Sequence, residues 1–200
     1  MDSVKFGVEA FVTLFVIMDP PGAAPIFLSL AGGRSLAERR RLAMQAAVVA
    51  FGVITAFALF GQAILHYLGI SVAAMQAAGG LLLLLVALEL LTGKDQPATR
   101  TADVNVAMVP LGTPLLAGPG AIVATILFVQ RADGSTDALA LALAVLAVHL
   151  SLWLILRGSV GMVKVLRESG VNLIAKISGL LVSAIAVQMV ADAVRAFIEG

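Results

Sequence analysis

The chain has 200 residues, of which 60% are hydrophobic and 12% are charged, and its formal net charge is +1. Soluble domains carry about 25% charged residues, so this composition excludes an ordinary soluble protein and indicates an integral membrane protein. The absence of cysteine excludes disulfides, thiolate metal sites and cysteine nucleophiles.

Six apolar segments are long enough to cross a bilayer, which takes about 18 or more residues. In chain order they are 5–31, 42–68, 71–92, 104–130, 136–157 and 172–197. The first segment has no preceding basic region and no small-residue cleavage site, so we expect it to be retained. We therefore predict an all-α membrane protein in which residues 1–200 form a single transmembrane domain of six helices.

Two of these segments contain proline and glycine where a helix should continue. The first segment carries Asp19-Pro20-Pro21-Gly22-Ala23-Ala24-Pro25, and the fourth carries Gly112-Thr113-Pro114-Leu115-Leu116-Ala117-Gly118-Pro119-Gly120-Ala121. Proline costs roughly 3 kcal/mol inside a helix, because it lacks a backbone donor and collides with the preceding turn. Unwound backbone at membrane depth is tolerated only around a cavity, and a pair of broken helices is typical of a transporter's substrate site. We predict that helices 1 and 4 are broken near the midplane.

The positions of the 13 basic residues predict the orientation. If the N-terminus lies outside, three of them lie on the outer side, and ten lie in loops on the inner side: Arg34, Arg39, Arg40, Arg41, Lys94, Arg100, Arg157, Lys164, Arg167 and Lys176. Cytoplasmic loops are enriched in Lys and Arg. We therefore predict a multi-pass protein of the inner (plasma) membrane with both termini outside. Re-entrant hairpins in segments one and four would abolish this bias, which favours helices that cross.

The two halves of the chain match each other weakly. A shift of 98 residues places Pro21-Gly22-Ala23 on Pro119-Gly120-Ala121, and a shift of 99 places Gly80-Leu81-Leu82 on Gly179-Leu180-Leu181. The same shift of 99 pairs Ala87 with Ala186 and Glu89 with Gln188. Each half, about 1–98 and about 99–200, then holds three helices. Because three crossings end on the opposite side of the membrane, the second half begins on the side opposite to the first. We predict two inverted repeats, whose half-helix N-termini could hold a carboxylate with free amides.

The two proline-glycine motifs resemble the signatures of a known family. The run Met18-Asp19-Pro20-Pro21-Gly22-Ala23-Ala24-Pro25-Ile26-Phe27-Leu28-Ser29-Leu30 is similar to the first signature of the MarC family, also called the neutral amino acid transporter family. The run from Thr113 to Ile122 resembles its second signature. The resemblance implies six spans in the inner membrane and transport of small neutral amino acids. It departs at Ala23, where members commonly carry Asn, which removes a side-chain amide from the presumed site.

Asp19 is the leading candidate for function. A carboxylate near the bilayer centre costs about 2.5–3.5 kcal/mol and usually marks an ion or proton pathway. The alternative is structural, because Asp is a favoured N-cap for the half-helix that begins at Pro20. Glu89 and Gln188 are further candidates for coupling, as a buried polar pair, although Glu89 could instead pair with Lys94 at the helix end.

The predicted substrate site comprises the residues of both breaks: Asp19, Pro20, Pro21, Gly22, Ala23, Thr113, Gly118, Pro119, Gly120 and Ala121. Thr125 is favoured as a partner for freed carbonyls. His149 and Trp153 share a helix face, and a histidine there is more often hydrogen-bonded between helices than a proton relay. Neither His149 nor His66 has metal-ligand spacing to a second ligand, so we expect no metal site.

These observations favour a secondary transporter of a small zwitterion by alternating access, and the resemblance implies that the zwitterion is a small neutral amino acid such as glycine, alanine or serine. A channel, or an exporter of another small solute, is the alternative. Spaced acid and nucleophile pairs and phosphate-binding loops are absent from the sequence, so we expect no enzymatic activity, no cofactor and coupling to Na⁺ or H⁺. The expected partners are the substrate and membrane lipid, with no nucleic acid. Small-residue runs such as 138–147 could pack helices within one chain or within a homo-oligomer.

Overall fold

The computed structural model describes residues 2–31, 33–92 and 116–199. These ranges contain helices and no strand. In chain order the helices are α1 (Ser3–Met18), α2 (Pro20–Leu30), α3 (Leu36–Tyr67), α4 (Val72–Thr92), α5 (Pro119–Arg131) and α6 (Gly134–Glu199).

Five described stretches are long and apolar enough to cross a membrane: Ser3–Leu28, Leu36–Tyr67, Val72–Thr92, Gly134–Val163 and Asn172–Glu199. The shorter apolar helix Pro119–Arg131 covers most of the described part, 116–130, of the predicted fourth segment. The prediction of an all-helical membrane protein is therefore confirmed, with five to six apolar helices. The membrane orientation and the inverted repeat stay predictions.

The first predicted segment is divided at a single residue. Helix α1 ends at Met18, Asp19 has left-handed backbone angles (φ 39°, ψ 64°), and α2 begins at Pro20. Pro20 and Pro21 occupy the first positions of α2, where a helix needs no amide donor. The depth of this interruption in a bilayer stays a prediction.

The start of α3 differs from its predicted position. The helix begins at Leu36, six residues before the predicted segment, because Ser35 and Glu38 form a capping box. The Ser35 hydroxyl accepts from the Glu38 amide at 3.3 Å, and the Glu38 carboxylate accepts from the Ser35 amide at 2.8 Å. The predicted cytoplasmic loop therefore loses Arg39, Arg40 and Arg41, which lie in the first turns of α3.

Helix α6 contains the two predicted helices 5 and 6, and the residues between them, predicted as a loop, are also helical. This helix is not straight. A Cβ at Gly7 would lie 3.2 Å from Ala140 Cβ, and the Ser178 hydroxyl lies 2.8 Å from Asp19. Positions 7 and 19 are about 18 Å apart along a helical axis, whereas 140 and 178 would be about 57 Å apart in a straight helix. The axis must therefore turn back between the spans Gly134–Val163 and Asn172–Glu199.

Helix α4 and the second arm of α6 pack antiparallel through two reciprocal contacts. A Cβ at Gly80 would lie 2.8 Å from the Ala186 carbonyl oxygen, and a Cβ at Gly179 would lie 3.2 Å from the Ala87 carbonyl oxygen. Both alanines are fully buried. Glycine therefore lets the two backbones approach closely at both points.

Two buried clusters hold these helices together. The larger contains residues from α1, α2, α3, α5 and the first arm of α6, and it includes Phe6, Phe27, Ile54 and Leu152. The smaller joins α4 and α5 to the second arm of α6 through residues such as Leu83, Val123 and Val182. Asp19 lies where α1 and α2 meet the second arm of α6.

Candidate functional site

Asp19 connects α1 to α2 through its backbone and its side chain. Its amide donates to the Phe15 carbonyl at 3.0 Å, which closes α1, and its carbonyl accepts from the Ala23 amide at 3.0 Å, which opens α2. Its Oδ1 accepts from the Gly22 amide at 3.3 Å. Asn and Asp are the non-glycine residues that tolerate the left-handed region best, so aspartate suits both the turn and the cap. The predicted N-cap role is therefore present.

The same carboxylate also contacts the second half of the chain. The Ser178 hydroxyl donates to Asp19 Oδ1 at 2.8 Å, across 159 residues of sequence. The other oxygen, Oδ2, is buried, and among the described residues it has no hydrogen-bond partner. Buried polar atoms are almost always paired, so an unpaired carboxylate oxygen inside the apolar span Ser3–Leu28 is a group that a cation, a proton or an ammonium could satisfy.

Gly22 lies directly against this carboxylate. A Cβ at this position would overlap Asp19 Oδ2 and lie 2.8 Å from Asp19 Cγ. Glycine is therefore needed here for the close approach of the carboxylate to the first turn of α2. Pro20 and Ala23 are buried beside it, and Pro21 is partly buried.

The described part of the second proline-glycine motif is also closely packed. Gly118 precedes α5 with extended backbone angles, and α5 begins at Pro119. Gly120 and Ala121 are buried, and a Cβ at Gly120 would overlap Leu83 of α4. Ala121 belongs to the same buried cluster as Ala23, so the structure brings the two motifs into one core. Thr113 and Pro114, which the sequence also assigns to this break, lie outside the described residues.

Glu89 and Gln188 are not brought together. Gly80 lies beside Ala186 and Gly179 beside Leu90, so position 188 is near one end of the antiparallel pair and position 89 near the other. Nine residues separate them along the axis, or about 13 Å. Glu89 is exposed on α4, and the Gln188 amide donates to Asp192 at 2.7 Å. The expected buried polar pair is wrong, because an antiparallel packing places positions related by the shift at opposite ends. A coupling role for either residue stays a prediction.

A cleft of about 770 Å³ lies between α1, α4, α5 and the second arm of α6. Its charged lining residues are Glu9, Arg131 and Asp192, and its uncharged polar lining residues are Thr13, Gln76, Gln130 and Gln188. Arg131 donates to Glu9 at 2.8 Å and lies over the Phe128 ring, 5.3 Å from its centroid. Sequence reasoning missed this cleft, because its polar residues come from four separate helices. The only signal was the isolated basic residue Arg131 at the end of an apolar segment.

Comparison with known proteins assigns the family. A family model described as "MarC family integral membrane protein" matches residues 4–198. The chain belongs to the MarC family. Among MarC family relatives, a "UPF0056 membrane protein" of Methanocaldococcus jannaschii is 34% identical over 96% of this chain and 97% of its own length. Another, of Aquifex aeolicus, is 34% identical over 96% of this chain and 94% of its own length. The Escherichia coli "UPF0056 membrane protein YhcE" is 29% identical over 95% of this chain and 92% of its own length. No solved structure matches this chain.

The MarC family membership inferred from the two motifs is thereby confirmed, and the match covers nearly the whole chain. The names of these relatives state a membrane protein and no substrate. Any inference about substrate and mechanism must therefore come from the residues of the site itself.

Two other intramembrane polar side chains of this MarC family protein, those of Thr125 and His149, have hydrogen bonds within their own helices. Thr125 donates to the Ala121 carbonyl at 2.7 Å, and His149 Nδ1 lies 2.7 Å from the Val145 carbonyl. The His149 ring packs edge-on against Phe51 of α3. The Trp153 ring lies 5.3 Å from the Arg157 guanidinium carbon. The His149 ring is thus held both by its own helix, through Val145, and by α3, through Phe51 and the Ala50 backbone.

Gly120→Ala should destabilise the protein by about 1–3 kcal/mol, because the added methyl overpacks the contact with Leu83. The double variant Gly120→Ala with Leu83→Ala should recover part of that loss, since the shortened leucine removes the overlap. Unfolding of the purified protein in detergent measures both. If Gly120→Ala alone has wild-type stability but loses substrate binding, Gly120 contacts substrate rather than α4.

Proposed function

We propose that this MarC family protein is a secondary transporter of small neutral amino acids such as glycine, alanine and serine, or of similar small zwitterions. The observation that carries the proposal is the Asp19 carboxylate, which interrupts an apolar span and keeps one buried oxygen without a hydrogen-bond partner among the described residues. A substrate ammonium, a Na⁺ ion or a proton would each satisfy that oxygen.

The contacts of the other oxygen support an alternating-access mechanism. Asp19 Oδ1 accepts from Gly22 of the first half and from Ser178 of the second half. Movement of one half against the other would lengthen the bond to Ser178 while leaving the bond to Gly22 intact. Occupancy of Asp19 would then bias the relative position of the halves, as a substrate that binds two conformations unequally must do.

The packing of α4 on α6 supports the inverted repeat. Gly80 and Gly179 are 99 residues apart, as are Ala87 and Ala186, and each glycine approaches the alanine of the other helix. Such reciprocal contacts are what a two-fold axis between equivalent helices produces. We propose that this axis relates the two halves, with the N-terminal turns of α2 and α5 as equivalent half-helices.

We also propose a membrane orientation for the chain. The ten-to-three distribution of basic residues supports an inner-membrane location with both termini outside. The sequence has no phosphate-binding loop, which favours an ion gradient as the energy source.

A thermal-shift panel on the purified protein tests the substrate class. Glycine, alanine and serine should raise the unfolding temperature, since a ligand at 100 times its Kd stabilises the folded state by about 2.7 kcal/mol. Propionate and ethylamine, which each lack one of the two charged groups, are the matched controls. Repeating the panel with Na⁺ or K⁺, and at acidic or neutral pH, identifies the coupling ion. Stabilisation by the controls but by no amino acid would contradict the proposal.

A further inference from the structure

The cleft between α1, α4, α5 and α6 is distinct from the Asp19 site. Its lining residues include Thr13 of α1 and Ile185 of α6, but neither Asp19 nor Ser178. Thr13 is six residues from Asp19 and Ile185 is seven from Ser178, which corresponds to about 9 and 10 Å along a helix. The cleft therefore lies nearer to the chain termini than the Asp19 carboxylate does.

An apolar layer separates the two places. Leu127 and Ile185 line the cleft and also pack against the smaller buried cluster. Val16, Ile17 and Met75 pack against that cluster as well. Along α1, Val16 and Ile17 lie between Thr13 of the cleft and Asp19, so apolar side chains lie on the path from the cleft to the carboxylate.

The cleft offers groups for both charges of a zwitterion. Arg131 is its one cation among the described lining residues, and Glu9 and Asp192 are its carboxylates. The Arg131 and Glu9 side chains are 49% and 40% exposed, so their ion pair is a weak one that a ligand can replace. Arg131 is also held over the Phe128 ring, which orients its guanidinium.

The size of the cleft suits a small solute with water. Its volume of about 770 Å³ lies in the range of 300–1,000 Å³ typical of small-molecule sites. Gln76, Gln130 and Gln188 add amides to the lining, and the Gln188 amide already donates to Asp192 at 2.7 Å. Charged groups of both signs together with amides favour a neutral zwitterion over an anion or a cation.

We propose that this cleft is a first recognition site for the amino acid, at which Arg131 binds the substrate carboxylate and Glu9 or Asp192 binds the ammonium. The assignment rests on the proposed transport function for the identity of the ligand. The Asp19 site then receives a substrate that the cleft has already selected.

Uptake of labelled alanine into proteoliposomes tests the assignment, with alaninamide as a competitor that keeps the ammonium but lacks the carboxylate. Arg131→Gln should raise the KM for alanine about tenfold, the effect of losing a charged hydrogen bond. The preference for alanine over alaninamide should fall by the same factor. The maximal rate should change little, and Arg195→Gln, which lies outside the cleft lining, should behave as wild type.

Glu9→Gln distinguishes loss of substrate binding by Arg131 from loss of the Arg131–Glu9 ion pair, because it removes the ion pair and keeps Arg131. It should leave the alanine-to-alaninamide preference unchanged, since both ligands carry the ammonium. A wild-type KM and a wild-type preference in Arg131→Gln would overturn the cleft assignment alone, and so would an equal loss of preference in Glu9→Gln. Absence of alanine uptake by the wild-type protein would overturn the transport function and, with it, the cleft assignment.

Discussion

Asp19→Asn should lower alanine transport about 10- to 100-fold, the effect of losing one hydrogen-bonded charge. Asparagine caps a helix as well as aspartate does and also tolerates the left-handed region, so the turn between α1 and α2 should persist. The variant therefore removes the negative charge while keeping the structural role.

Asp2→Asn is the matched control for this experiment. Asp2 caps α1, and its carboxylate accepts from the Val4 amide at 3.1 Å, much as that of Asp19 accepts from Gly22. Asp2 is exposed and lies far from the interruption in sequence. Uptake into proteoliposomes, normalised to correctly folded protein, should be unchanged in Asp2→Asn. Equal transport by both variants would show that Asp19 is only a cap.

Gly22→Ala should reduce transport about tenfold or more and destabilise the protein by about 1–3 kcal/mol, the cost of overpacking. The new methyl would overlap Asp19 Oδ2, so the carboxylate must rotate away from the Gly22 amide, the Ser178 hydroxyl or both. The backbone of Gly22 is helical, so the effect comes from this contact and not from backbone strain.

Gly52→Ala provides the comparison for Gly22→Ala. Gly52 lies inside α3, and a Cβ there would meet nothing within 4 Å. Alanine should be neutral or stabilise the helix by about 0.5–1 kcal/mol, because glycine is the poorer helix former. Thermal unfolding and alanine uptake measured on both variants distinguish a local clash from a general effect of added methyl groups. Wild-type uptake by Gly22→Ala would contradict the assigned contact with Asp19.

The break at Asp19 was predictable because its cause is local. Three prolines within six residues remove backbone donors, and an aspartate before Pro20 is a favoured cap. The family followed from this motif together with the second one, Thr113 to Ile122, which is the more specific of the two. The start of α3 is also set by a local signal, but the capping box of Ser35 and Glu38 lies before the apolar run, so hydropathy alone places the start of the helix too late.

The contacts that make Asp19 a candidate site were not predictable in the same way. Ser178 is separated from it by 159 residues, and only the turn in α6 brings them together. The cleft likewise gathers Glu9, Arg131 and Asp192 from three helices, and hydropathy says nothing about which helices are neighbours. The pairing of Glu89 with Gln188 failed for a related reason, because sequence equivalence under an inverted repeat does not imply contact.

The internal sequence match predicts helix packing better than it predicts polar contacts. The shift of 99 residues selected Gly80, Gly179, Ala87 and Ala186, and these four residues form the reciprocal contacts between α4 and α6. Small residues directly limit how closely two backbones can approach, so matches between small residues predict which helices pack together. Matches between polar residues predict contacts less well, since the partner of a polar side chain depends on which face of each helix is covered.

Counterflow tests the central claim of transport by alternating access most directly. Proteoliposomes loaded with unlabelled alanine should transiently accumulate labelled alanine above the outside concentration, and the rate should saturate with alanine. A pore equilibrates solute without such an overshoot. Transient accumulation by the wild-type protein is the predicted result, whereas passage of alanine without overshoot or saturation would contradict the account.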